Sequence, residues 1–356
     1  MLSLEDLGWS PRFDAAFAEH RTAGLVPARV SLEHTHLYRV LTAEGELLAR
    51  VSGRLRHDAE ERADFPAVGD WVAIDPPQAG TDARIRTVLP RFSKFSRRAA
   101  GDPTEEQVLA ANIDVAFLVS GLDLDFNSRR IERYLLTAWD SGASPVIVLN
   151  KADLVDDVRP FVEQVEPLAQ GVPILAVSAK QPASMEPLRE RLGRGKTAVL
   201  LGSSGVGKSS IANALVGEER LRTREVRTSD SRGRHTSTNR QMILMPDGGI
   251  LIDTPGIREL QLWDTSESLE SAFADVDALA ESCRFRDCRH QGEPGCAVAD
   301  AVSDGRLDAG RLESYRKLQL EQEFRSRQQD VHAQLEQKRR WKVLTKAANK
   351  HIKEKR

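Results

Sequence analysis

Apolar positions in the first hundred residues come in short runs that alternate with polar ones: 28–30, Leu37–Leu41, Leu47–Val51, Trp71–Ile74 and Ile85–Leu89. Such runs, broken by turn chemistry at Glu44-Gly45 and Asp75-Pro76-Pro77, are the pattern of short strands. No helical crossover separates them, which predicts an all-β barrel of OB type over residues 1–104. From about Gln107 the texture changes. Val115–Val119, Val146–Leu149, Ile174–Val177, Thr197–Leu201 and Gly249–Ile252 are near-continuous apolar runs, with helical segments such as Ile131–Trp139 and Val158–Leu168 between them. Buried strands alternating with helices predict a mostly parallel sheet covered on both faces, an α/β domain over residues 105–265. After Leu262 the sheet pattern stops. From about Leu307 the chain is rich in Glu, Gln, Lys, Arg, Leu and Ala and free of proline, so residues 266–356 read as an α-helical module.

Composition narrows the class. Forty per cent hydrophobic and 29% charged residues fit a globular chain and exclude a collagen-like or wholly disordered one. No apolar run approaches the roughly 18 residues of a membrane helix, and the acid-bearing start MLSLEDLGWS lacks the basic region of a secretory signal, so a cytoplasmic protein without a membrane contact is expected. The net charge of −2 conceals an asymmetry: Lys338–Arg356 holds nine Lys or Arg against Glu354 alone, +8 on a body of −10. A basic tail on an acidic body suits a polyanion such as RNA. The strip Arg91-Phe92-Ser93-Lys94-Phe95-Ser96-Arg97-Arg98 has two readings: a surface on which bases stack beside phosphates, or a loop whose two Phe are tucked inside.

The strongest chemical signal is Gly202-Ser203-Ser204-Gly205-Val206-Gly207-Lys208-Ser209-Ser210, which carries the G-x-x-x-x-G-K-[ST] pattern between an apolar run and a helical one. Backbone N–H groups of such a loop cradle phosphate oxygens, Lys208 reaches the β and γ phosphates, and the Ser209 hydroxyl ligates Mg²⁺. The base is chosen elsewhere. Asn150-Lys151-Ala152-Asp153 follows the run Val146–Leu149, at a strand's carboxyl end where open α/β sheets bind ligands. A carboxylate at Asp153 accepts from N1 and N2 of guanine, a donor pair adenine lacks, which argues against an ATPase. Ser178-Ala179-Lys180 ends the next strand. Asp253-Thr254-Pro255-Gly256 suits a switch, with Asp253 near the metal through water and the Gly256 N–H toward the γ-phosphate. In the polar stretch Arg232–Thr238, Thr236 is the choice for the second Mg²⁺ hydroxyl, with Thr238 as the alternative.

Cys283, Cys288, His290 and Cys296 fall in one window, and the chain has no other Cys. Three thiolates and an imidazole are the ligand set of a closed, structural Zn²⁺ site, which would stabilise a module with little core of its own.

Together these motifs resemble the guanine-nucleotide motifs of the GTPase superfamily in permuted order, with base recognition before the phosphate loop. That order, the preceding barrel, Gly233-Arg234-His235-Thr236, Ala111-Asn112-Ile113-Asp114 and the Cys/His window resemble one family closely, the circularly permuted small ribosomal subunit biogenesis GTPases, RsgA. The resemblance implies slow GTP hydrolysis stimulated by the small ribosomal subunit, partners in that subunit and its rRNA, docking favoured by GTP and release by hydrolysis. It also implies zinc at the cysteines and histidine. Ile257 stands where Ras-like enzymes carry the water-orienting Gln, and the resembling family implies His235 as the catalytic group instead. A monomer is expected. The rival is a zinc-containing RNA-binding protein in which the nucleotide is a structural clamp.

Overall fold

The computed structural model describes residues 2–34, 37–76, 81–99, 102–123, 126–217, 240–253, 273–285, 288–307, 309–313, 315–316 and 319. The chain divides into two compact units, residues 1–101 with 105–263 and residues 102–104 with 264–356.

In the first unit, helix α1 (Pro11–Thr22) starts on a proline, which loses nothing at a position whose N–H has no helical partner, and buries Phe13 and Phe17 one turn apart. Strands β1 (Val26–His34), β2 (Leu37–Thr42), β3 (Gly45–Val51), β4 (Trp71–Ile74) and β5 (Ala83–Val88) follow, with the short helix α2 (Gly53–Asp58) after β3. Their order is β1-β2-β3-β5-β4, and β4 pairs back on β1, so the five strands close. β3 and β5 run parallel while the other neighbours are antiparallel, the OB-type barrel expected. Its interior holds Ala28, Val30, Val40, Ala49, Val72, Ile74 and Ile85.

A ribbon of β6 (Lys94–Ala99) and β7 (Asp102–Ala111) leads out of the barrel. It settles the two readings of the aromatic strip. Phe95 is buried with Leu109 and Ile113, Phe92 packs against Phe13 under the Arg12 guanidinium, and Arg91 makes a two-pronged pair with the fully buried Asp70 at 2.7 and 2.8 Å. The rings of this strip are core, not a stacking surface.

The central domain contains β8 (Val115–Gly121), α3 (Ser128–Ser141), β9 (Ser144–Asn150), α4 (Arg159–Val165), β10 (Ile174–Ala176), α5 (Glu186–Arg191), β11 (Thr197–Leu201), α6 (Lys208–Val216), β12 (Gln241–Leu244) and β13 (Ile250–Asp253). The sheet order is β10-β9-β8-β11-β13-β12, parallel throughout except for β12. Successive residues of β8 serve opposite faces, Ala116 and Leu118 in one core cluster and Phe117 and Val119 in the other. That explains runs apolar at every position. α3 begins on Asn127, whose side chain accepts from the Arg130 N–H, and ends on the left-handed Gly142. Strand order reverses between β8 and β11, so the loops leaving their carboxyl ends flank a crevice. Read from β11 through β13 and then β8 to β10, the strands follow the order that the resemblance to the GTPase superfamily implies for an unpermuted chain. The domain is therefore circularly permuted.

Barrel and sheet are continuous. β1 also bonds β12, with Leu32 opposite Gln241, and Arg240 pairs with Glu33 at 3.0 Å. At the other end of this joint lies Arg29, 1% exposed. Its neighbours Ala28 and Val30 fill the barrel, so the alternation of β1 sends Arg29 outward. Its guanidinium donates to the carbonyls of Leu7, Gly69 (3.1 Å) and Asn112 (3.2 Å) and to the Thr197 hydroxyl (2.9 Å). Burial pushes its pKa down to about 10, with Asp114 and Asp70 opposing, so it is charged at neutral pH. Asn112, in the left-handed region at φ 58°, accepts from Phe92 N and donates to Gly69 O.

The second unit contains α7 (Ala274–Ala280) and α8 (Ala297–Ser303) and further helical residues up to Gln319. Phe273, Val276, Val298, Ala301, Leu312 and Tyr315 are buried, and Arg311 grips Asp275 with two bonds of 2.6 and 2.7 Å beneath its stack on Phe273. The fold class is thus a barrel, a permuted α/β domain and a helical Cys/His module. Among the described residues no helix is long and apolar enough to cross a membrane. His235, Thr236, Thr238, Gly256 and Ile257, and the basic tail Lys338–Arg356, lie outside the described residues.

Arg29→Met removes the donor from several buried acceptors, each of which costs about 1–3 kcal/mol when stranded. The expected result is destabilisation of the first unit by about 3 kcal/mol or more, read as a lowered urea midpoint of its unfolding transition with the m-value unchanged.

Candidate functional site

The phosphate-type loop joins β11 to α6 and crosses the crevice described above. Two of its glycines are required by contact as well as by backbone. At Gly202, φ 152°, a Cβ would sit 2.4 Å from the Val119 carbonyl, and at Gly207, φ 95°, it would sit 2.3 Å from the Asn150 amide nitrogen. No side chain fits at either place. Lys208, at the first turn of α6, curls back and donates to the carbonyls of Gly202 (2.7 Å) and Ser203 (2.5 Å). Ser209 and Ser210 follow it on the same turn, half-buried, while Ser204 and Gly205 are exposed and Val206 is buried. The loop N–H groups and the helix N-terminus make this turn a site for an anion.

The Asn150–Asp153 segment leaves the end of β9 beside that loop. Asn150 is 2% exposed; its amide donates to Val206 O at 2.8 Å and its oxygen accepts from Ala179 N at 3.2 Å. The carboxamide therefore registers three loops against one another. Lys151 adopts φ 67°, and its ammonium donates to Gly205 O at 2.6 Å and pairs with Asp123. Ala152 N is held by Val177 O at 3.0 Å. Asp153 accepts from the Ser178 hydroxyl at 2.6 Å and from Lys180 at 3.0 Å. Those two bonds, Ser178 first, hold its carboxyl below the usual carboxylate range, so it stands as an anion at neutral pH. Ser184 steadies the third loop by donating to Ser178 O and accepting from Ser178 N. Asp253 ends β13, half-buried, opposite Gln241 of β12.

Asn150, Lys151, Asp153, Ser178, Ala179, Lys180 and the loop Gly202–Lys208 are thus brought together at one edge of the sheet. Sequence reasoning missed three partners of this cluster: Asp123, Ser184 and Arg130, whose guanidinium donates to the Ser203 hydroxyl at 2.8 Å. None belongs to a spaced motif. Only the position of Asp123, just past the buried run of β8, was a signal.

In the second unit, one ligand atom from each of Cys283, Cys288, His290 and Cys296 lies within 4.8 Å of the others. The Cys283 and Cys296 sulfurs are 4.0 Å apart, and His290 Nδ1 is 3.6 and 3.4 Å from them. Tetrahedral zinc with its ordinary bond lengths requires edges of about 3.5–3.8 Å, so the cluster has the size for a metal ion. Burial pushes the Cys283 thiol up, but hydrogen bonds from the Val298 and Ala297 N–H groups and from Cys296 and Cys288 together lower its pKa. Burial also lowers the His290 pKa, favouring the neutral imidazole that a metal needs. Cys296 caps α8, accepting from Ala299 N.

The family model described as RsgA GTPase matches residues 88–263. Over 352 residues the chain is 46% identical to the small ribosomal subunit biogenesis GTPase RsgA of Opitutus terrae, with 96% of each chain covered. Over 351 residues it is 42% identical to the protein of that name from Syntrophotalea carbinolica, again with 96% of each covered. Of solved structures, that of YjeQ from Thermotoga maritima matches with a TM-score of 0.63 and 29% identity, covering 84% of this chain and 98% of that one. Motif order, permuted sheet and full-length similarity agree, and the chain belongs to the RsgA GTPase family.

Proposed function

We propose that this protein hydrolyses GTP, slowly alone and faster on the small ribosomal subunit, and couples hydrolysis to late maturation of that subunit and to its own release. The observation that carries this reading is the convergence at the sheet edge: an anionic Asp153 stands beside a phosphate-type loop whose carbonyls are tied to Asn150 and Lys151. An acceptor-only carboxylate suits the N1 and N2 donors of guanine, and the loop N–H groups suit the phosphates. Gly202–Ser210, Lys208 among them, hold the triphosphate, with Ser178–Lys180 and Ala152 shaping the base pocket. Ser209 and Thr236 are the hydroxyls for Mg²⁺, which when bound with GTP neutralises charge on the β and γ oxygens. In this reading Asp253 would act on the metal through a water, and the Gly256 N–H would serve the γ-phosphate. His235 orients the attacking water, since Ile257 has no polar group for the task.

The Cys/His cluster is a structural zinc centre, because four protein ligands leave no open position. Barrel (1–104), permuted domain (105–265) and zinc module with basic tail (266–356) then act as three parts, gripping rRNA at their outer two. The protein works as a monomer in the cytoplasm.

The first test is the steady-state GTPase rate of the purified protein alone and with small subunits, large subunits or free RNA. Stimulation by small subunits alone is expected, and His235→Ala should lose about 100-fold or more of the stimulated rate while still binding GTP. No stimulation by any of them would favour the rival, an RNA-binding protein with a nucleotide clamp. Asp153→Asn replaces two acceptors by an amide that also donates. It should weaken GTP binding by about 100-fold and strengthen xanthine nucleotide binding, whose C2 carbonyl accepts where guanine donates. Competition against a fluorescent guanine nucleotide measures both.

A further inference from the structure

Among the described residues, four large apolar side chains are exposed, and Phe285, at 43%, is the aromatic one. It sits between the ligands Cys283 and Cys288, in a loop fixed by Arg284 N donating to Gly295 O at 3.0 Å and Cys288 N to Phe285 O at 3.3 Å. The Arg284 guanidinium lies 5.5 Å from the Phe285 ring centroid, and Arg289 is exposed just beyond Cys288. Glu293 is turned away onto backbone, accepting from Arg289 N at 3.1 Å and Gln291 N at 2.6 Å. An exposed ring with a cation on its face, four residues before a second exposed cation in the chain, makes a surface for a planar group on a polyanion rather than for an apolar protein patch.

We propose that Phe285 and Arg284 form a stacking platform for an unpaired RNA base. This rests on the reading that the partner is RNA. The test uses the full-length, zinc-loaded protein, a single-stranded RNA 12-mer carrying 2-aminopurine, and the matching duplex. Salt is raised so that phosphate contacts of the tail weaken. Wild type is expected to prefer the single strand and quench its 2-aminopurine. Phe285→Ala should weaken single-strand binding about 5- to 100-fold and abolish the quench with zinc content unchanged, and Phe285→Trp should restore both. Unaltered binding and quench in a zinc-loaded Phe285→Ala overturn the platform alone. So does loss of small-subunit binding by that variant without loss of RNA binding, which assigns the ring to a ribosomal protein. Wild type that binds no RNA overturns the RNA partner as well.

A separate observation concerns the phosphate loop. Its glycines give it conformational freedom that must be removed before it presents its N–H groups in register. Lys208, Asn150 and Lys151 restrain it through carbonyls, and Arg130 restrains Ser203 from α3, whose first turn is itself fixed by Asn127 accepting from Arg130 N at 3.1 Å. We infer that Arg130 is a positioning residue for this loop, acting through the Ser203 hydroxyl. Guanine-nucleotide binding by wild type, the reading on which this rests, is measured first.

Arg130→Ala and Ser203→Ala should each weaken binding of GDP and of a non-hydrolysable GTP analogue by about 3- to 30-fold, and the double variant by no more than the stronger single one. For Arg130→Ala, KM should rise with kcat on small subunits retained, and Arg130→Lys should recover part of the affinity. Additive losses or unchanged affinities overturn the assignment. A wild type without nucleotide affinity overturns the GTPase reading itself.

Discussion

The Asn150 carboxamide has one donor and one acceptor side to satisfy, and in this protein they reach to different loops, Val206 of the phosphate loop and Ala179 of the third loop. That small bridge is the constraint on which the site depends. It places the base-recognition segment against the phosphate loop at a fixed distance, and the distance is so short that Gly207 can carry no side chain. Neither bond depends on which segment comes first in the chain. A GTPase site can therefore survive circular permutation, since the sheet sets strand order and a side-chain amide sets the registration of loops at the strand ends.

Arg29 does at the opposite edge what Asn150 does at the site. A cation wholly removed from water survives only with its donors engaged, and those donors reach the start of β11, the segment before β8, the turn before β4 and the N-terminal segment. Barrel and sheet are joined by an interaction that tolerates little displacement of any of the four. Asn112 reinforces it by adopting a backbone conformation that few residues take, which supplies a physical role for a position that entered the sequence reading only through the family resemblance.

Local chemistry was legible and long-range chemistry was not. The phosphate loop, Asn150–Asp153 and the Cys/His window carry their meaning in spacing, and the strands of the barrel and sheet, β12 excepted, fall within a few residues of the apolar runs that announced them. Arg29 could not be read, because an arginine between Ala28 and Val30 looks like the solvated side of a strand until carbonyls up to 83 residues away are in place. Phe92 and Phe95 were ambiguous for the same reason: flanking charges hid a buried ribbon. Arg130 and Asp123 reach the site across the sheet edge, with no spacing rule to announce them.

Permutation also changes which modules adjoin the strands of the central sheet. β12 begins with Gln241, the first strand residue after the stretch containing His235 and Thr236, and it is bonded to barrel strand β1 by a ladder pair with an ion pair beside it. β13 ends in Asp253, and the chain runs on from there toward the Cys/His unit without returning to the sheet among the described residues. In an unpermuted order the chain would continue from β13 into β8. With that connection cut, β13 leads by covalent continuity toward the Cys/His unit, while β12 is held to the barrel by hydrogen bonds. Each therefore offers a short physical path along which a change at the nucleotide site would be felt, β12 through its pair with β1 and β13 through the chain that leaves it.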